Sequence, residues 1–367
     1  MLQTMTRKIL LILIVLFSSL QLSAQRLNTK NVVLVTIDGL RWQEVFNGAD
    51  SALMDQQINF VDPIGIKNHF WNNELAKRRS TLLPFIWGTI GTRGQIYGNR
   101  KFDNKVNVTN GFWFSYPGYN ELLSGHADDA RIYSNIKIPN PNTTVLEFIN
   151  EQRGYKSRVA VFASWDCFPY IINARRNGIF VSAGMMDSFG DKRTDNEELL
   201  DKLLPNIPNP LNGVRLDAFT FYYGLEYMKK EKPRVMFFSF DETDDFAHKG
   251  EYGAYLNSAQ SADSFIGDLW DYLQSDPFYS KSTTLIITAD HGRGNGSQDW
   301  KSHGRDTPGS DQIWLAVMGP DTPSGGEMQV DGQLYLNQVA KTMAAFLGMD
   351  YTGTGSVGAV IETVFKK

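Results

Sequence analysis

Short apolar runs punctuate the chain, and each one ends on polar or turn-forming residues. Asn31 to Ile37 (NVVLVTI) stops at Asp38, Arg158 to Ala163 (RVAVFA) at Ser164-Trp165-Asp166, and Arg234 to Phe240 (RVMFFSF) at Asp241. Thr283 to Thr288 (TTLIIT) runs into Asp290, and Gln312 to Met318 (QIWLAVM) stops at Gly319-Pro320. Runs this short, rich in β-branched residues and apolar at nearly every position, predict strands buried on both faces and therefore a parallel sheet. Helical patterns lie between them. Ala254 to Leu273 places Ala259, Ala262, Phe265, Ile266, Leu269 and Leu273 at three- and four-residue steps, and Leu336 to Leu347 is a second such stretch. The alternation predicts an α/β fold, a doubly wound, mostly parallel sheet flanked by helices. In such folds ligands gather beyond the carboxyl ends of the strands, which is where Asp38, Asp241 to Asp245 and Asp290 fall.

The first residues obey a different logic. Arg7 and Lys8 precede an unbroken apolar run from Ile9 to Phe17, and Ser23-Ala24 offers small residues for cleavage. This is the order of a secretory signal peptide over residues 1–24, so the protein is expected to be exported, periplasmic or extracellular. The run is too short for a bilayer span, which takes roughly 20 apolar residues, and no stable membrane insertion is expected. Residues 25–367 then form one large domain, with room for a small cap within 125–232. A hydrophobic content of 42% and an aromatic content of 13% supply a substantial core. The net charge of −4 argues against nucleic acid as a partner. Cys167, the sole cysteine, makes no intrachain disulfide and sits in the apolar stretch Phe162 to Ile172, where it reads as core packing.

Candidate chemistry concentrates on the histidines. Three of the five, His248, His291 and His303, lie in acidic, glycine-punctuated loops. Any one alone is consistent with a packed or surface histidine. Three beside Asp at strand ends form a donor set of imidazole nitrogen and carboxylate oxygen that suits zinc or manganese.

TIDG at Thr36 to Gly39, the segment DETDDFAH, TADHG at Thr288 to Gly292 and the final His303-Gly304 occur in the order of the alkaline phosphatase superfamily, which the chain resembles from Asn31 to about Pro320. The segment Phe114 to Gly125 is similar to the nucleotide pyrophosphatase/phosphodiesterase nucleophile segment. Ser115 stands at the Thr position, Tyr116-Pro117 at the aromatic-Pro pair and Ser124-Gly125 at the Thr-Gly. The resemblance implies an alkaline-phosphatase-like core and two divalent metal ions, zinc or alternatively manganese. It implies that Asp38, Ser115, Asp290 and His291 hold one ion and that Asp244, His248 and His303 hold the other. Asp241 and Asp245 are left as supporting or solvated residues, and Ala247 departs from the usual Gly. The implied activity is hydrolysis of a small-molecule phosphate ester, by a phosphatase or phosphodiesterase acting through a phosphoseryl intermediate on Ser115.

Two relatives offer other chemistries. Sulfatases share Ser115-x-Pro117, but Tyr119 stands where their formylglycine signal has Arg. Phosphoglycerate mutases share the DxxxH and TADHG pieces, yet need a large second domain. An exported binding protein on the same fold would have no need of the complete ligand set. Asn135, twenty residues after Ser115, and Lys301 are the expected substrate-binding residues, with Arg41 and Arg293 as further cationic candidates. Phe112, Trp113, Phe114, Tyr116 and Tyr119 serve either as a stacking surface or as core.

Overall fold

Strand β1 (Asn31–Ile37) lies inside the main sheet, with every residue buried. The computed structural model describes residues 27–55, 63–187 and 193–366, so the export segment expected over residues 1–24 lies outside the described residues. The remaining strands are β2 (Gln95–Tyr97), β3 (Asn104–Asn107), β4 (Val159–Ala163), β5 (Phe180–Ala183), β6 (Val235–Phe240), β7 (Thr283–Thr288), β8 (Gln312–Ile313), β9 (Leu315–Met318), β10 (Gly326–Glu327) and β11 (Gly332–Tyr335). Eight of them form a sheet in the order β10-β2-β9-β7-β1-β6-β4-β5, and three form a small sheet, β11-β3-β8.

The core of the large sheet is parallel: β1 pairs with β6 and β7, and β4 with β6 and β5. All residues of β1, β4, β6 and β7 are buried, which is why these runs carry no polar alternation. Strand register brings the acidic residues together. Ile37 pairs with Phe240 and Thr36 with Thr288, so Asp38, Asp241 and Asp290 leave the sheet side by side at its carboxyl edge.

The expected single strand Gln312 to Met318 is two strands in two sheets. β8 pairs antiparallel with β3, whereas β9 pairs antiparallel with β7 and β2. The chain changes sheets at Trp314, which is fully buried and donates its indole N–H to the Leu40 carbonyl at 3.0 Å. Gly98, at φ +116°, permits this crossing, since a Cβ there would stand 2.9 Å from the Trp314 Cα. The small strands β2, β3, β5, β10 and β11 are too short for an apolar run to announce them. The expected helices span Tyr252–Ser275 and Gln338–Phe346. The segment 125–232 contributes β4, β5 and the helix Asp217–Glu231, which packs against β4 and β6. Cys167 is fully buried, and burial pushes its thiol up to about 12.

Candidate metal centre and nucleophile

Asp38, Asp290 and His291 form the deepest part of the site, each almost wholly buried. His291 Nδ1 lies 2.9 Å from its neighbour's carbonyl, Gly292 O, an acceptor that assigns the ring proton to Nδ1. In the neutral ring Nε2 then carries the lone pair, and this atom lies 3.3 Å from Asp38 Oδ1 and 3.4 Å from Asp290 Oδ2. Those two carboxylate oxygens are buried without a hydrogen-bond partner. A buried carboxylate oxygen with no donor is costly, and a cation is the partner that fits it. Their other oxygens are satisfied: Tyr119 donates to Asp38 Oδ2 at 2.7 Å, and the Gly39 N–H donates to Asp290 Oδ1 at 3.3 Å. Burial and the neighbouring Asp38 push the Asp290 carboxyl well above its usual range. Burial alone would lower His291, but Asp290, Asp38 and Asp244 raise it to about 9. Protons here serve as the counter-charge that this acidic pocket requires.

The second group is Asp244, His248 and His303. The register of β6 places Asp241 at its end, and the helix Glu242–His248 then puts Asp244 and His248 one turn apart on the same face. Asp244 Oδ2 lies 3.1 Å from His248 Nε2, and the two imidazole Nε2 atoms are 2.9 Å apart. Ala247 is fully buried, so the core accommodates the methyl that departs from the usual Gly. The groups abut: the His291 and His303 rings stack with centroids 4.0 Å apart, and Asp244 Oδ1 is 3.9 Å from His291 Nε2 and 3.6 Å from His303 Nε2. By proximity alone Asp244 falls into a cluster with Asp38 and His291 as well as one with His248 and His303. Asp244 Oδ1 is occupied by the Arg293 guanidinium, whereas Oδ2 faces His248. Burial would raise the Asp244 carboxyl; Arg293, with His303 and His248, holds it well below the usual carboxylate range. Burial and His291 together push His303 well down, toward the neutral ring that a ligand must be.

Ser115 opens the helix Ser115–Ser124 and is buried, with its Oγ 3.4 Å from His291 Nε2. The helix lies directly against the loop bearing Asp290, and a Cβ on Gly118 would run into the Asp290 carbonyl. The approach to Ser115 is a strained turn, with Trp113 at φ +57°. Asn110 holds it by accepting from the Phe112 and Trp113 N–H groups at 3.1 and 2.9 Å. Glu121, buried on the same helix, accepts from the backbone N–H groups of Thr109 and Asn110 and from Asn110 Nδ2.

All seven expected metal ligands thus converge. The substrate-binding candidates divide. Asn135 accepts the Tyr116 N–H at 2.9 Å, one residue beyond Ser115, and is exposed toward solvent. Lys301 is also exposed, its stem 3.6 Å from where a Cβ on Gly250 would stand. Arg41 is a correction: it is buried in an ion pair with Glu44 and donates to Gly294 O at 3.0 Å, so it is structural. Arg293 is likewise buried, bound to Asp244. Tyr116 and Tyr119 are core residues, whereas Phe112, Trp113 and Phe114 remain half-buried before Ser115. Asp241 is buried, and burial together with Asp38 pushes its carboxyl well up; Asp245 is partly buried. Sequence patterns did not reveal the supports: Tyr119 as donor to Asp38, Glu121, and Arg293 as partner of Asp244. A signal existed for Tyr119, four residues after Ser115 and hence on the same helix face.

The type I phosphodiesterase / nucleotide pyrophosphatase family model matches residues 58–341. No curated protein sequence matches the chain. Among solved structures, the fold is similar to wild-type alkaline phosphatase PafA at a TM-score of 0.63 and 10% identity, over 94% of this chain and 100% of that one. It is also similar to the lipoteichoic acid synthase LtaP from Listeria monocytogenes (0.55, 13%, 92% and 76%). A phosphonate monoester hydrolase from Silicibacter pomeroyi is a further neighbour (0.53, 13%, 91% and 76%). These likenesses establish the alkaline-phosphatase-like fold. Together with the family match, which covers most of the sequence, they place the chain in the type I phosphodiesterase / nucleotide pyrophosphatase family of phosphate-ester hydrolases.

Proposed function

We propose that the protein is an exported, two-metal hydrolase of small-molecule phosphate esters that works through a phosphoseryl intermediate on Ser115. The observation that carries this reading is the pair of unpartnered, buried oxygens, Asp38 Oδ1 and Asp290 Oδ2, converging with Ser115 Oγ on His291 Nε2. In this reading Asp38, Ser115, Asp290 and His291 hold the first cation, and Asp244, His248 and His303 the second. Two divalent cations, zinc by the donor set with manganese as the alternative, would lower the pKa of the Ser115 hydroxyl and draw charge from the phosphoryl oxygens.

The residues perform the rest. Ser115 loses its proton to solvent, and its Oγ attacks phosphorus as the bond to the leaving oxygen breaks. The leaving alcohol takes a proton from water. Water then attacks the phosphoseryl group, breaking the bond to Oγ and restoring the hydroxyl. The Ser115 N–H opens the helix and lies where an anion is favoured, whereas the Tyr116 N–H is taken by Asn135 and Pro117 has none. Asn135 is positioned beside Ser115 by its bond to Tyr116 and offers its amide N–H groups to the phosphoryl oxygens. Export is read from the basic-then-apolar order of residues 7–17. Among the described residues no helix is long and apolar enough to cross a membrane.

The test is metal analysis of the purified protein, with turnover measured on mono-, di- and sulfate esters of one chromogenic alcohol. Close to two transition metals per chain and preference for the phosphate esters are expected. One calcium, no transition metal and a preference for the sulfate ester would favour a sulfatase-like site.

A further inference from the structure

The two halves of the centre are built with different charge. Asp38 and Asp290 each present a buried oxygen without a partner, and Asp38 is supported on its other oxygen by a neutral phenol. Asp244 is the sole carboxylate of the second group, and one of its oxygens is already taken by a guanidinium. That guanidinium is fixed in place. Arg293 is 1% exposed, its Nε donates to Trp300 O at 3.0 Å, and its Nη2 donates to Lys301 O at 2.8 Å. A Cβ on Gly39 would stand 2.7 Å from Arg293 Nη1, so β1's terminal turn closes the remaining side of the guanidinium. The second group is also the more open, with the His248 side chain 46% exposed against 0% for His291.

We propose that Arg293 is a positioning residue that turns Asp244 Oδ2 toward His248 and His303 and, through its resident charge, makes the second cation position the weaker and exchangeable one. The inference rests on the two-metal reading. A cation arriving there meets one carboxylate already paired with a fixed guanidinium, in contrast to two carboxylates at the first position that pair only with His291, whose proton a cation can displace. Like charges a few ångströms apart repel strongly in a partly desolvated pocket, more than the loss of one orienting hydrogen bond weakens a ligand. Arg293 also ties the carbonyls of Trp300 and Lys301, and so sets where the chain delivers His303. Charge and tie are separable by substitution.

The experiment is competition of the zinc-loaded full chain against a graded series of fluorescent zinc chelators, with bound zinc counted at each step. The parent should lose one zinc well before the other, and His303→Ala should lack the early-leaving one. Arg293→Met removes the charge and should tighten the early-leaving zinc at least about tenfold. Arg293→Lys keeps the charge without the fork and should leave it no tighter than in the parent. Arg293→Gln repeats the neutral test if the Met variant does not fold. Neutral variants that hold the second zinc no more tightly than the parent would overturn the charge argument. Two zincs leaving the parent in one step would overturn the inference while leaving the two-metal reading intact. A parent that never holds two metals would remove both.

Discussion

The Tyr119 hydroxyl donates to Asp38 Oδ2 at 2.7 Å while accepting from Ser239 Oγ at 2.9 Å, which in turn accepts from Thr36 Oγ1 at 3.0 Å. All four residues are buried. The chain of donors runs in one direction from β1 and β6, through the helix Ser115–Ser124, to a single carboxylate oxygen. Asp38 is thereby held with Oδ1 facing His291 Nε2, and the helix carrying Ser115 is fastened to the end of β1. Burial, followed by Asp290 and Asp38, pushes the Tyr119 phenol well above its usual range, so it remains a donor.

Tyr119→Phe removes that donor at almost unchanged volume. Supporting hydrogen bonds of this kind are worth about 10- to 100-fold in metal affinity. Zinc competition should show a loss of that size at the tighter position, with the fold intact by circular dichroism. Unchanged affinity would mean that packing alone orients Asp38.

Ser115→Ala leaves every Asp and His ligand in place, so it should retain both metals yet lose nearly all hydrolysis. Ser115→Thr should keep part of the rate, since its hydroxyl can still attack. Acid trapping of the parent and peptide mass analysis should find the phosphoryl group on Ser115, and the overall reaction should retain configuration at phosphorus. An Ala variant as active as the parent, or inversion at phosphorus, would remove Ser115 from the mechanism.

Gly118 sits in the helix interior, where a glycine costs about 1 kcal/mol relative to alanine. Propensity alone would make Gly118→Ala stabilising. Contact decides otherwise, because the added methyl runs into the Asp290 backbone carbonyl, which cannot swing away. A lower melting temperature and a sharp fall in turnover are expected together. A variant more stable than the parent would show that the helix shifts without cost.

Asp263, buried in the helix Tyr252–Ser275, accepts the N–H groups of Phe85 and Ile86 at 2.6 and 2.9 Å. Burial raises its carboxyl from an ordinary 3.8 to about 7, against the lowering effect of those two bonds. Between these values the folded chain holds a proton that the unfolded chain has released. This group's contribution to stability is therefore full below about 3.8 and is lost as pH rises toward 7. Asp263→Asn keeps an acceptor and cannot ionise, so urea unfolding should lose that part of the slope, on the order of 3–4 kcal/mol across the window. Parallel stability–pH curves for parent and variant would show that Asp263 ionises normally.

What the sequence determined by itself is whatever is local. An unbroken apolar run such as TTLIIT can be buried only on both faces, so β1, β4, β6 and β7 were legible, and so was the placing of Asp38, Asp241 and Asp290 at their ends. The i,i+4 spacing of Asp244 and His248 was legible for the same reason, since one helical turn brings them to one face. The tertiary structure alone decided which polar groups meet. Arg41 and Arg293 look alike as candidate phosphate donors in the sequence, yet one closes on Glu44 and the other on Asp244, because each guanidinium is buried and must take the nearest carboxylate. Trp314 splits one apolar run between two sheets because its indole reaches Leu40 across the fold. Tyr119 resembles any core aromatic until β1 and β6 bring Asp38 and Ser239 to its hydroxyl. Strand and helix periods arise from neighbours along the chain; the partner of a buried polar atom is set by distances that only the packed molecule fixes.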